Sequence, residues 1–477
     1  MSGPPNGMPL ADLPSNDTPF TSVDHVRAPV GWRWAPAWVL AFVALWPAPG
    51  YAEAVMVLGA LAAIVRLMIV RFRGGTRLLS APAWALTSVL FFAYWLPEVV
   101  SVFDAIDYSH ALHETLTDLR YLPFLWLAAA AVSDARGRRT TFAGLAIIMA
   151  AWTLDALLQA VTGTSALFWG VDSIKHLISG HGMCPASRAA AVDRLSGVLG
   201  PCNLKLGLVL ASLSPFVLYA ARKQVETIRS KSTPQGSVRL GSGRLGSVGW
   251  LIAAAAMGIV ILLAGARAAW ITYALVLLCS GWRVLGAKRL IGVFAFGALM
   301  LGVLTLTVPQ VRERIVRTTS ALTADQQGVD IALSGRTRIW RAAACMVREH
   351  PINGVGAGEF RLAFPACDPQ PNVVAVWGAG PALHAHQIVL EILSETGGIG
   401  LLFWLAGAAL AWRAWRFATD EARDRARPAM LALAVTVFPF NTHLAFYSTF
   451  WGGVTLLLAA LYAGSLLGRE AGSTPSE

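Results

Sequence analysis

Apolar runs recur along the chain from Ala35 to Leu467, separated by short polar gaps. A helix gains 1.5 Å per residue, so roughly twenty apolar residues are needed to cross ~30 Å of hydrocarbon. A transmembrane barrel would instead show ~10-residue strands of alternating polarity. The runs predict about twelve spans, at 35–49, 52–70, 79–103, 120–132, 142–161, 199–220, 250–265, 270–286, 290–308, 388–412, 428–447 and 450–468. The fold class expected is an all-α polytopic membrane protein with about twelve transmembrane helices and a large, partly helical outer loop. The organisation follows: a disordered inner leader at 1–34; nine spans at 35–308, with an outer loop at 162–198 and a basic inner loop at 221–249; the large outer loop at 309–387; three spans at 388–468; and an inner tail at 469–477.

Within the large loop, Arg336 to Glu349 brings apolar residues round at helical spacing. Pro351 stops that helix, and Gly354, Gly356 and Gly358 predict a tight, bent connection after it. A loop of this length inside a compact membrane protein is a functional candidate.

Composition excludes a soluble protein: 56% of residues are hydrophobic, 14% are charged and the mean hydropathy is +0.57. The leader is rich in Pro, Ser, Asp and Gly, so no cleavable secretion signal is expected there. The net charge of +11 raises nucleic acid as a partner, but the basic residues fall in the short gaps between apolar runs, where they set topology instead. With the N-terminus inside, inner gaps carry Arg71, Arg73 and Arg77, then Arg136, Arg138 and Arg139, then Arg222, Lys223, Arg229, Lys231, Arg239 and Arg244. Lys288 and Arg289, and Arg413, Arg416, Arg423, Arg425 and Arg427, continue the series. The outer gap from Asp104 to Leu119 has neither Lys nor Arg. Apart from His25, every histidine (His110, His113, His176, His181, His350, His384, His386, His443) falls at or near the outer side.

The densest chemistry lies where the large loop enters a span, at Pro381-Ala-Leu-His384-Ala-His386-Gln387. A neutral imidazole at the water boundary accepts a proton from a hydroxyl at neutral pH. A metal is the alternative for the two histidines, but no third ligand stands at a familiar spacing, so neither metal nor cofactor is expected. Glu391 and Glu395 follow four apart on one helix face, and intramembrane carboxylates are seldom idle. Outer-side arginines form a second set: Arg194 in Arg-Leu-Ser-Gly, Arg267 in a short turn between two spans, and Arg336 and Arg338 in Ser-Gly-Arg-Thr-Arg-Ile-Trp. Guanidinium forks suit phosphate oxygens. The bland reading is snorkelling to headgroups, which is the reading for Arg312, Arg314 and Arg317. A base and arginines on one face suggest chemistry on a lipid-linked phosphate or pyrophosphate.

At these residues the chain resembles the O-antigen ligase family. His386-Gln387, nine residues, then Gly397-Gly398-Ile399-Gly400 fits the family's loop-ending pattern, and Arg194-Leu-Ser-Gly, Gly265-Ala-Arg267, Gly335-Arg-x-x-Ile-Trp and Pro351-x-x-Gly-Val-Gly also look like it. The resemblance covers Leu154 to Gly400; Ala266 stands where Ser often precedes the Arg, and Pro201-Cys202-Asn203 replaces the commoner His-Pro-Asn. It implies an inner-membrane glycosyltransferase of lipopolysaccharide biosynthesis, with its active site and large loop facing the periplasm. The implied donor is a glycan on undecaprenyl pyrophosphate, and the implied acceptor is a sugar hydroxyl of lipid A-core. Inversion at the anomeric carbon and the lack of a metal or nucleotide requirement belong to the same implication. His386 would activate the acceptor, Arg194 and Arg267 would hold the pyrophosphate, and Arg336, Arg338, His384, Gln387 and Glu395 would line the substrate site. A polymerase of the same superfamily, a protein-glycosylating relative and a transporter are the competing classes. An oxidising compartment also makes Cys345 with Cys367, and Cys184 with Cys202, candidate disulfides, while Cys279 within a span should stay free.

Overall fold

The computed structural model describes residues 32–184, 194–232, 242–307, 309–319, 333–375, 377, 380–439, 441 and 445–468. Most of the predicted leader, the tail, His25, Arg239 and His443 lie outside them. Each apolar run is a helix: α1 (Ala35–Ala44), α2 (Pro49–Arg73), α3 (Ala81–Ser101), α4 (Tyr108–Asp118), α5 (Tyr121–Ala130), α6 (Ala135–Thr162) and α7 (Ala166–Ser179) lead. They are followed by α8 (Leu206–Ser232), α9 (Ser242–Ala264), α10 (Arg267–Leu285), α11 (Ala287–Thr307) and α12 (Pro309–Thr319). The chain continues with α13 (Arg336–Glu349), α14 (Phe360–Cys367), α15 (Ile388–Phe417), α16 (Asp420–Thr436) and α17 (Thr449–Leu467).

Among the described residues nine helices are long and apolar enough to cross a membrane: α2, α3, α6, α8, α9, α10, α11, α15 and α17. Three of the twelve predicted spans are shorter. The run at 35–49 stops as a helix of 10 residues because Pro47 and Pro49 interrupt it, and the run at 120–132 also gives 10 residues, confined between Arg120 and Asp134. The run placed at 428–447 begins earlier and ends earlier, as a helix of 17 residues whose first turn carries Asp420 and Glu421. Side chains of α5 and α17 are buried almost all round and form the middle of the bundle, whereas α11 is almost wholly exposed and turns its apolar surface outward. Close approach at the centre needs small residues: a Cβ on Gly464 would lie 2.2 Å from the Ala129 carbonyl oxygen.

The end of the bundle with α2's Arg71 and Arg73 also holds α15's Arg416. There Arg425 does more than set topology. Its Nε donates to the Ser465 carbonyl at 2.9 Å and its Nη2 to those of Leu466 and Gly468, capping the open C-terminus of α17. Ser80 adds a hydroxyl bond to the Leu467 carbonyl at 2.9 Å.

The opposite end carries the long loop, and α13 occupies the residues its periodicity predicted. A small core of its own, including Ile339, Met346, Phe360, Phe364 and Ala385, packs α13 on α14. Cys345 and Cys367 bridge the two helices, and a second disulfide joins Cys184 to Cys202; Cys279 is free.

This loop is locked into a break in α15. Gly397, at φ 65 and ψ −162, interrupts the helix, so the N–H groups of Gly398 and Ile399 cannot reach the carbonyls four residues back. They donate to the Pro351 and Ile352 carbonyls at 2.9 and 3.0 Å, while Val355 and Gly356 donate to the freed Ser394 and Glu395 carbonyls at 2.9 and 3.1 Å. Backbone at membrane depth tolerates such a break only when other protein groups satisfy it. The contact leaves no room for side chains: a Cβ on Gly397 would lie 2.2 Å from the Ile352 oxygen, and one on Gly354 2.3 Å from the Glu395 carbonyl carbon. Gly397→Ala and Gly354→Ala are therefore each expected to lower the melting temperature of the purified protein by about 2 °C or more. Gly292→Ala, which meets open space, should leave it within about 1 °C. Thiol titration of the denatured, unreduced chain should find one free thiol, rising to five after reduction.

Candidate active site

Arg267 is the first residue of α10, entered through Gly265 at φ 71. Arg336 is the first residue of α13, entered through Gly335 at φ 76. Two helix N-termini thus open where these guanidiniums stand, and their free N–H groups add partial positive charge. The two sites touch: Arg267 Nη2 donates to the Ser334 hydroxyl at 2.7 Å, and Ser334 itself is held at φ 56. Burial first, then the nearby charges of Arg267 and Arg194, push Arg336 down to about 10, which leaves it cationic at neutral pH but records three guanidiniums in one neighbourhood. Arg194 arrives on the segment before α8, which is fixed by a bond from the Gly197 N–H to Gln159 Oε1 at 2.7 Å. The segment then packs Gly200 so tightly on Phe168 that a Cβ would stand 2.0 Å from the ring.

The histidine turn is tied to the same helix. Trp340, one turn beyond Arg336, donates its indole N–H to the carbonyl of buried Ala385 at 3.1 Å, between the two histidines. His386 takes φ 53, an uncommon conformation for a residue with a Cβ, and the rings of His384 and His386 meet edge to face with centroids 3.9 Å apart. Burial, followed by the charges of Lys205 and Arg336, pushes His384 down to about 4, so its ring is neutral at pH 7. Its Nδ1 is buried without a hydrogen-bond partner among the described residues.

The other predicted site residues also make contacts within the fold. Arg338 grips Asp368 through two bonds of 2.7 and 2.6 Å, donates to the Gln370 and Val373 carbonyls, and covers the Trp377 ring. Gln387 caps α15, accepting from the Leu390 N–H at 2.5 Å and donating to the Pro439 carbonyl at 3.0 Å. Glu395 is buried and accepts from the Gly358 N–H at 2.8 Å, inside the loop's contact with the broken helix. Glu391 is buried beside it.

Lys205 is the residue that sequence reasoning passed over. It lies one residue before α8, its Nζ is 4.4 Å from the Phe450 ring centroid, burial lowers its pKa, and its charge reaches His384. The signal was available, because a lysine inside the apolar run at 199–220 is costly unless it has work to do.

Residues 252–405 match the family model for O-antigen ligase. The match spans about a third of the chain and takes in Arg267, Arg336, both histidines and the Gly397 break, while Arg194 and Lys205 precede it. No curated protein matches the chain. The match supports the superfamily assignment and is consistent with a membrane enzyme acting on lipid-linked glycans.

The neutral His384 ring has a stability signature. Its folded pKa lies below the ordinary ~6.5, so between those values the native state binds fewer protons than the unfolded chain. Its stabilisation is complete above about pH 6.5 and is lost as pH falls toward 4. His384→Gln should therefore flatten the fall in melting temperature between pH 6.5 and 4; parallel curves for the variant and the parent protein would assign that fall to other groups.

Proposed function

We propose that this protein is an O-antigen ligase-like glycosyltransferase. It moves a glycan from undecaprenyl pyrophosphate to a sugar hydroxyl of lipid A-core at the periplasmic face of the bacterial inner membrane. All twelve apolar helices belong to the membrane body in this reading, and the loop-bearing end faces the periplasm. What carries the reading is the convergence of Arg194, Arg267 and Arg336, with two helix N-termini, on the His384–His386 pair. A pyrophosphate supplies the multiple negative charge that such a cluster stabilises, and forked guanidiniums match its oxygens.

In the reaction, His386 takes the proton of the acceptor hydroxyl as that oxygen bonds to the anomeric carbon. The bond from that carbon to the pyrophosphate oxygen breaks, and its electron pair leaves on undecaprenyl pyrophosphate, where Arg194, Arg267 and Arg336 balance the growing charge. Attack opposite the leaving group inverts the anomeric centre. The pyrophosphate linkage is already activated, so the transfer needs no nucleotide. Neutral His384 packs against the base, and burial with the Lys205 charge keeps the His384 ring unprotonated. Both substrates are lipid-anchored, which requires access from the bilayer side. A cavity of about 530 Å³ beside the Arg194 segment, lined by Pro49, Tyr51, Ala54, Phe168 and Leu199, offers apolar walls for an isoprenoid stem.

His386→Ala should cut transfer by about 100-fold or more without loss of membrane insertion; retention of a tenth of the activity would remove His386 from the role of base. Arg267→Lys should be nearly as damaging as Arg267→Ala, because an ammonium does not replace a fork. A fully active Arg267→Lys would point to headgroup contact instead. In cells, deletion should abolish every O-antigen ladder band and leave glycan on the lipid carrier; a single-repeat band would identify a polymerase.

A further inference from the structure

On the other side of the loop's contact with α15 lies a second, acidic cavity of about 210 Å³. Its lining includes Glu98 of α3, His110, Glu114 and Asp118 of α4, Arg361 of α14, and Tyr447 before α17. Glu98 is only 3% exposed, yet its Oε2 has no hydrogen-bond partner among the described residues. His110 is held by Glu359, with Nδ1 2.6 Å from Oε1, and Arg361 lies 3.4 Å from His110 Nε2. The lining cations are thus Arg361 and, when protonated, His110, against the carboxyl groups of Glu98, Glu114 and Asp118. A buried carboxylate oxygen left bare costs free energy that a hydrogen-bond donor from a ligand would recover.

The geometry disfavours a bare metal ion. Among the described residues only Cys345, Glu349 and Cys367 bring three candidate ligand atoms within 4.8 Å of one another, and those two cysteines are bridged. The acidic residues of the cavity are more widely spread and enclose more room than one ion fills. Several separated acceptors, a tyrosine ring and a volume of this size suit a polyhydroxylated ring, whose hydroxyls donate to carboxylates while its apolar face lies on the aromatic. Burial pushes Asp118 up to about 7, so near neutral pH that carboxyl can donate as well as accept. The cavity is linked to the reaction site through α15: Gly358 in its wall donates to Glu395, and the Tyr447 hydroxyl is 2.9 Å from Thr396 Oγ1, roughly 12 Å along the helix from the histidine turn.

We propose that this cavity is a saccharide subsite that binds a sugar ring of the acceptor glycan beyond the ring that reacts, with Glu98, Glu114 and Asp118 as acceptors for its hydroxyls. The term acceptor rests on the proposed function; binding of a sugar ring does not. Saturation-transfer NMR on the full chain in detergent, with the methyl glycosides of glucose, galactose and glucosamine as probes, tests the binding directly. At least one probe should receive saturation from the parent protein and from His386→Ala. The signal should be at least about 5-fold weaker with Glu98→Gln combined with Asp118→Asn, and also reduced in Glu114→Gln, whose half-exposed side chain can change without disturbing the fold. No transfer to any probe from the parent protein, or equal transfer from Glu114→Gln, overturns the proposal. So does a melting temperature raised by millimolar calcium in the parent protein but not in Glu98→Gln, which would make the cluster a cation site. In the transfer assay, Glu114→Gln should raise the KM for acceptor about 5-fold and leave that for donor unchanged. If the parent protein transfers no glycan, the function reading fails while the binding result stands.

Discussion

The exchange of backbone hydrogen bonds between Pro351–Gly356 and the broken helix around Gly397 is the constraint on which the loop-bearing end of the molecule depends. A helix interrupted at membrane depth leaves carbonyls and N–H groups that must find partners inside the protein. Here four such groups are met by one turn of the long loop, at 2.9 to 3.1 Å. The loop cannot then drift over the bundle. Its position decides where α13 begins, and so where Arg336 stands relative to Arg267, and where the chain re-enters the membrane past His384 and His386.

That anchorage makes the clustering of charge affordable. Burial makes Lys205 hold its proton less firmly than it would in water, and burial followed by the charges of Arg267 and Arg194 does the same to Arg336. The cluster persists because each group is fixed by a neighbouring element: Arg267 by its helix start and Ser334, Arg336 by Gly335 and the α13 core, Lys205 by the Phe450 ring. The resulting field favours a neutral imidazole and a polyanionic partner at the same place. Preorganised charge of this kind requires little rearrangement when a leaving group becomes more negative.

The packing divides the helices by what they face. α17 is buried along its length among small residues of α5, whereas α11 exposes nearly all of its side chains. The loop has its own apolar core, closed by the Cys345–Cys367 bridge and the Arg338–Asp368 fork. The planar fork of Arg338, a candidate for substrate, binds a carboxylate and two carbonyls of its own loop.

Membrane residence and the succession of helices followed from the sequence alone, because burial in hydrocarbon demands long apolar runs and charge collects in the gaps between them. The helix at Arg336–Glu349 and the pairing of Cys345 with Cys367 were legible for equally local reasons, periodicity and confinement to one loop. His386 and Arg267 stood out as polar groups at apolar boundaries. Tertiary structure alone decided the rest. Arg194 and Arg267 lie far apart in sequence, and no periodicity says that the segment of one and the helix start of the other converge with Arg336. Nor does any local pattern show that Glu395 accepts from the loop at the broken helix or that Gln387 caps α15. Lys205 reads as an oddity within a run until the fold sets its charge beside His384. Local hydrophobicity selects the elements, but which polar ends meet depends on backbone bonds between the Pro351–Gly356 turn and the Ser394–Ile399 stretch that only the folded chain brings together.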